Sequence, residues 1–180
     1  MNEASQPDKF LARQTAKRHL AAVWARLAGL APGMTALDIG SGRFVLAIEY
    51  AAIVGPAGCL YALEPRHAPD TDIPHLVHLA QDAAAPIMLP APPDVMFCTD
   101  TLHHAADPLA LLKTLRAAAG PATRLLVTEY DPQQPGLIGA KPHRRLPPAD
   151  AASLLAQAGF GAAAPFPTED EHYAILATAR

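Results

Sequence analysis

Asp38 and Glu64 bracket a glycine pair, Gly40 and Gly42, with Ser41 between them. Glycine lets the backbone turn tightly where a Cβ would clash. A glycine loop opening a helix, with a carboxylate one β-α-β unit later, is the way a parallel sheet holds a nucleoside. A second group of residues follows about forty positions on. His103 and His104 can take a proton from a phenol or enol when the imidazole is neutral. Tyr130 and His143 border a long loop, and Arg144 and Arg145 stand ready to anchor an anion or to face solvent. His75 and His78, three apart on an extended run, point to opposite faces, so no metal is expected.

The elements that must position these residues can be read from periodicity. Met34 to Ile39 is an apolar run that delivers Asp38 to the glycine loop, and Phe44 to Val54 is a helical run. Gly55 Pro56 Ala57 Gly58 breaks it, and Cys59 to Leu63 is a second strand ending at Glu64. Leu76 to Ala80 and Asp94 to Thr99 are the third and fourth strands, and Arg124 to Tyr130 the fifth. Upstream, Phe10 to Leu30 reads as one amphipathic helix that packs on the sheet or lids its edge. Asp107 and Pro108 open a helix as N-cap and first-turn residue. Asp131 to Arg145 lacks periodicity and is a loop of the length that carries function, and Pro147 to Ala158 is the last helix. Phe160 to Phe166 and His172 to Thr178 make a closing antiparallel pair. Right-handed crossovers give an α/β fold with a mostly parallel sheet. The expected domain map is a flexible 1–9 and one domain over 10–180.

With 180 residues the chain can bury one sizeable core without staples. Fourteen Lys and Arg against 17 Asp and Glu leave a net charge of −3, which argues against a nucleic-acid or membrane partner. Two isolated cysteines, Cys59 and Cys98, suit a reduced cytoplasmic setting. The first nine residues lack a signal-peptide pattern, and no apolar run reaches the roughly 18 residues of a membrane span.

Spacing decides between two cofactor classes. A dinucleotide fingerprint needs glycine at position 45, where Val45 stands, and asks for no acid before its first glycine, where Asp38 sits. The acid-x-Gly-x-Gly order resembles class I S-adenosylmethionine-dependent methyltransferases, in particular the small-molecule group with the ubiquinone and menaquinone C-methyltransferases. The resemblance runs from about Leu20 to Arg180. It is carried by LDIGSG, YALEP, QDAA, DVMFCTDTLHH and RLLVTEYDP, then by the RRLPP-to-AGF helix and HYAILATAR. It implies a single-domain Rossmann-like sandwich of about seven strands. It also implies a site for S-adenosylmethionine, released as S-adenosylhomocysteine, made of Asp38, Gly40, Ser41, Gly42, Glu64, Pro65, Asp82, Ala83, Thr99 and Asp100. Within that set Glu64 takes the ribose hydroxyls, Asp82 the adenine amine with Ala83 flanking the ring, and Asp38, Thr99 and Asp100 face the methionine end. His104, His103 and Tyr130 are the candidate catalytic groups.

The implied reaction is methyl transfer to an O, C or N nucleophile of a small molecule. No Asn-Pro-Pro-aromatic tetrad follows the fourth strand, where Thr99 Asp100 Thr101 Leu102 stand, which argues against DNA or RNA as acceptor. Two departures from the family pattern keep alternatives open. Phe44 occupies the usual third-glycine position, where a side chain costs roughly 1–2 kcal/mol if the backbone is left-handed. The helix after the second strand is reduced to the loop Pro65 to Pro74, which could expose the pocket to solvent or to a second subunit of a homodimer. The alternatives are a catalytically silent binding module of the same fold and a nicotinamide-dependent oxidoreductase.

Overall fold

Five of the apolar runs align side by side because each buries residues on both faces. A computed structural model describes residues 8–136 and 139–179. It contains strands β1 (Thr35–Ile39), β2 (Cys59–Leu63), β3 (Leu76–Leu79), β4 (Val95–Thr99), β5 (Arg124–Tyr130), β6 (Phe160–Ala162), β7 (Phe166–Pro167) and β8 (His172–Ala179). They form one sheet in the order β3-β2-β1-β4-β5-β8-β6, with the two-residue β7 also paired to β8. The first five strands run parallel, and β8 is antiparallel to both β5 and β6. This is the expected Rossmann-like sheet with its antiparallel closure, plus one short strand.

Alternation along the strands separates two cores. Ala36, Leu60, Ala62, Phe97 and Leu126 face one side with Trp24 and Tyr50, while Leu37, Leu63, Met96, Cys98 and Val127 face the other with Leu111, Leu112, Leu115 and Leu155. Helices α1 (Lys9–Ala16), α2 (Leu20–Ala28) and α3 (Val45–Val54) precede β2 in the chain, and α4 (Pro108–Ala118) and α5 (Pro148–Gln157) follow β4 and β5. The chain leaves β1 toward β2 on one side and returns through β4 on the other. The carboxyl ends of these strands therefore flank a topological switch point, where α/β sheets bind ligands.

The single helix expected over Phe10 to Leu30 is two. Between Leu11 and Leu20 the sequence has no large apolar residue, so nothing holds a continuous helix against the core. The helix stops at Lys17, whose N–H donates to the carbonyls of Gln14 and Thr15. The break frees Gln14 and Lys17, both buried, to reach inward. Of the expected tail 1–9, Asp8 caps α1 by accepting from the Phe10 and Leu11 amides and Lys9 opens the helix, while residues 1–7 lie outside those described. Residues 65–74 carry no helix, as their prolines require.

The loop after β5 is held by Arg145, which is buried and not solvated. Its guanidinium donates to the carbonyls of Ala140 and Asp131 and to the Glu171 carboxylate, each at 2.7 Å. It also lies 5.1 Å from the Tyr130 ring centre. Gly139 closes on the same ring, where a Cβ would fall 2.0 Å from Tyr130 Cζ. Among the described residues no helix is long and apolar enough to cross a membrane.

Candidate active site

The carboxyl ends of β1, β2, β4 and β5 open into one cavity of about 770 Å³, within the usual range for small-molecule sites. One end is built by the glycine loop. The amides of Gly40 and Ser41 donate to the Leu63 carbonyl at 2.9 and 3.1 Å, tying the loop to β2. Gly40 has φ +74°, and a Cβ there would sit 2.8 Å from Thr101 Oγ1. Gly42, at φ +58°, is overlaid by α1, so that a Cβ would fall 2.5 Å from Gln14 Nε2. Gln14 donates to the Ser41 carbonyl at 3.2 Å and accepts from the Arg43 amide at 2.6 Å, so α1 is docked on the loop through main-chain bonds.

Phe44, at the third-glycine position, is left-handed at φ +62°. The side chain turns away from the cavity and is 1% exposed in the first core, its ring edge-on to His78 at 5.2 Å. The backbone therefore takes the path a glycine would take, and core burial of an aromatic ring offsets the strain.

Three acids line the cavity, Asp38 and Glu64 buried and Asp100 partly exposed. Glu64 accepts from the Gly42 amide at 3.0 Å and from the Arg66 amide at 2.8 Å, one on each oxygen. A carboxylate has about four acceptor positions, so two remain for a ligand's hydroxyls. Burial pushes the Asp38 carboxyl up to about 6 against the Ser41 hydroxyl and the Lys17 charge. Asp100, itself left-handed at φ +49°, is ion-paired with Lys17 and accepts from His172 Nε2 at 3.1 Å. Burial alone would raise the Asp100 carboxyl, but the Lys17 ammonium and His172 hold it down to about 2.

The other end carries the imidazoles. His103 Nδ1–H donates to Glu129 Oε2 at 2.5 Å, and Glu129 Oε1 accepts from the Leu102 amide at 2.7 Å. Both side chains are almost wholly buried. Burial lowers the basicity of His103 and the Glu129 carboxylate more than restores it, so the imidazole holds a second proton above its ordinary value. With Nδ1 committed to Glu129, Nε2 is the nitrogen left to exchange a proton. The His104 ring lies 3.9 Å from the His103 ring, tilted by 42°, and burial followed by the neighbouring His103 charge lowers its pKa. Burial and then the Asp100 charge raise the Tyr130 phenol, which favours its protonated form.

This cradle suits a nucleoside with an amino-acid tail: a tight glycine turn, a carboxylate with spare acceptor positions, and two further acids facing the same space. A model for a methyltransferase domain matches residues 11–172. The chain belongs to the methyltransferase domain family. In fold it is similar to an S-adenosylmethionine-dependent methyltransferase from Aquifex aeolicus, at 19% identity and TM-score 0.81 over 97% of this chain and 99% of that one. It is also similar to magnesium protoporphyrin IX methyltransferase from Synechocystis, crystallised with S-adenosylhomocysteine, at 18% identity and TM-score 0.64 over 95% and 85%. A third relative in fold is the O-methyltransferase NcsB1 of neocarzinostatin biosynthesis, at 19% identity and TM-score 0.67 over 93% of this chain and only 57% of that one. No curated protein matches the sequence. The family is thus that of the methyltransferase domain, and the fold is the one found in S-adenosylmethionine-dependent methyltransferases, in line with the resemblance read from the motifs.

Within this methyltransferase domain the structure gathers Asp38, Gly40, Ser41, Gly42, Glu64, Thr99, Asp100, His103, His104 and Tyr130 around one cavity. Pro65, Asp82 and Ala83 are not on its wall. Asp82 is exposed and accepts from the Ala84 amide at 2.8 Å, capping its own turn, and Ala83 packs on the second core. His143 is exposed and off the cavity. His75 and His78 bond the carbonyls of Ala51 and Glu64.

The sequence places Glu129 at the end of the fifth strand on the Gly40 edge but assigns it no role there, and it does not single out the α1 residues Phe10, Arg13, Gln14 and Lys17 for the site. Glu129 shares strand parity with Leu125 and Val127, which are buried, and a carboxylate on an inward parity needs a partner. That was its legible signal. The α1 residues had none, because the helix approaches the glycine loop only in the folded chain.

Proposed function

We propose that this domain transfers a methyl group from S-adenosylmethionine to a hydroxyl oxygen of a small molecule. The observation that carries the oxygen is the His103–Glu129 pair, which opens on the same cavity as the glycine cradle. When bound, the cofactor supplies a sulfonium methyl already activated for in-line displacement. Every other contribution comes from the chain. Glu64 accepts the ribose hydroxyls on its two spare positions, and Asp38 and Asp100 face the ammonium of the methionine end. His103 Nε2 takes the proton of the acceptor hydroxyl, while Glu129 fixes the ring's tautomer and favours the imidazolium that forms. His104, with its lowered pKa, and protonated Tyr130 wall the acceptor and exclude water. Positioning of the two reactants supplies much of the rate.

A small acceptor is favoured over nucleic acid by the net charge of −3 and by Thr99 Asp100 Thr101 Leu102 after β4. A phenolic acceptor agrees with NcsB1, whose structure holds 1,4-dihydroxy-2-naphthoic acid beside S-adenosylhomocysteine. Calorimetric titration with S-adenosylhomocysteine tests the reading. The wild-type chain is expected to bind, and Glu64→Ala to weaken binding at least about 30-fold, roughly 2 kcal/mol. Glu64→Gln, which keeps one oxygen for the backbone, controls for folding. An absence of heat at about 1 mM ligand, a free energy near −4 kcal/mol, would overturn it.

A further inference from the structure

The cavity is charged against the trend of the chain. The protein carries −3 overall, yet Arg13, Lys17, Arg66, Lys141 and Arg144 line this space against three acids. Asp38 and Glu64 are at the buried Gly40 end, and Asp100 lies deeper than the rim beside Tyr130, paired with Lys17 and His172. Lys17 is neutralised there by Asp100, and Arg66 has Glu64 at 3.9 Å. That leaves Arg13 on α1 with Lys141 and Arg144 on the loop before α5. Among the described residues, none of these three side chains makes an ion pair or hydrogen bond. Each is exposed. Arg13 sits one residue before Gln14, which docks α1 on the glycine loop. Lys141 caps and Arg144 ends a single helical turn, Pro142–Arg144, immediately before the buried Arg145 that staples the loop to Asp131 and Glu171.

We infer that Arg13, Lys141 and Arg144 form an anion-reading rim, selecting an acceptor that carries a carboxylate or phosphate beside its nucleophilic hydroxyl. Both groups match a guanidinium's paired donors, and a low-dielectric cleft of one sign focuses its field on the ligand. The separation of charge along the cavity supports this division. The acids lie in the depth of the cavity and suit a cationic, hydroxyl-rich cofactor, while the three remaining cations lie at its exposed rim and suit an anion held away from it. The field reaches the imidazoles, since Arg144 contributes to the lowered pKa of His104. An anion at the rim would offset that effect. The inference rests on the methyl-transfer reading for which end of the cavity receives the acceptor.

The test is a fluorescence titration of the protein, saturated with S-adenosylhomocysteine, using 1-hydroxy-2-naphthoate and its uncharged carboxamide. The carboxylate is expected to bind at least about tenfold more tightly, with the advantage shrinking in about 0.5 M salt as charges are screened. The variant Lys141→Gln/Arg144→Gln, and Arg13→Gln separately, should bring the carboxylate toward the carboxamide while calorimetric affinity for S-adenosylhomocysteine stays within about threefold, under 1 kcal/mol. Repeating the titration with 1-naphthyl phosphate tells a phosphate-reading rim from a carboxylate-reading one. The inference is overturned if neither anion exceeds the carboxamide. It is also overturned if the variants lose S-adenosylhomocysteine, which would assign these cations to the cofactor's own carboxylate. Failure of the wild-type chain to bind S-adenosylhomocysteine at all is a distinct result and strikes the methyl-transfer reading instead.

Discussion

The two ends of the cavity are built in different ways. At the Gly40 end the decisive groups are main-chain amides, two left-handed glycines, the buried Asp38 and the Glu64 carboxylate held by the Gly42 and Arg66 amides, all from the continuous segment 38–66. At the His103 end the groups are side chains gathered from α1, the turn after β4, strand β5 and the loop before α5. The first is as rigid as the central strands that carry it. The second depends on distant elements meeting, and it retains exposed cations. Binding and folding should therefore be coupled at the Gly40 end, whereas turnover and selectivity should vary at the other with little effect on either.

The sharpest way to break this division is at His103 and Glu129. His103→Ala is expected to reduce kcat by about 10²- to 10³-fold with unchanged affinity for S-adenosylhomocysteine. Only neutral His103 can accept a proton, and its pKa lies above the ordinary 6.5, so the wild-type rate should climb with pH through a value above 6.5. Glu129→Gln removes the negative partner. The climbing limb should then move to lower pH while the plateau falls. The measurement is a pH–rate profile beside calorimetry, and cofactor affinity lost in step with kcat would show that the two ends are not separable.

Asp38 tests the Gly40 end with an effect of opposite sign. Its carboxyl is raised from 3.8 to about 6 in the folded protein. The folded state therefore binds a proton more readily than the unfolded chain, and stability falls as pH rises from 3.8 through about 6. Above that window the buried charge costs about 2–3 kcal/mol. Asp38→Asn should accordingly stabilise the ligand-free protein by about that amount at pH 8 and by far less near pH 4, read from urea midpoints, while weakening S-adenosylhomocysteine. A variant no more stable at pH 8 than the wild type would show that Asp38 is better compensated than its burial indicates.

The same contrast explains what the sequence disclosed. Gly40, Gly42, Asp38 and Glu64 were legible because their roles follow from spacing within one β-α-β unit, and the strands followed from apolar runs. The break at Lys17 was not, because the helical pattern around Leu20 to Leu30 extends plausibly upstream until one notices that only small and polar residues fill 12–19. Arg145 read as an anion anchor or a solvated charge because nothing local announces that Glu171, 26 residues on, lies against it. Asp82 differs again: its position after β3 fits the family pattern, and in the structure its carboxylate caps its own turn off the cavity wall.

Phe44 gives the smallest expected effect and the finest test of the comparison. Its left-handed backbone means that glycine would relieve roughly 1–2 kcal/mol of strain. Its ring is 1% exposed, and emptying such a site costs about 3–5 kcal/mol. The burial term exceeds the strain, so Phe44→Gly should destabilise the fold by about 2 kcal/mol, read as a lower Tm. The ring is absent from the cavity wall and the loop already follows the glycine path, so S-adenosylhomocysteine affinity in the folded variant should be unchanged. A stabilised variant would mean that His78 and the first core close over the vacated space. A variant that binds more tightly would mean that Phe44 strains the cradle itself, and the rigid end of the cavity would then be less relaxed than its hydrogen bonds indicate.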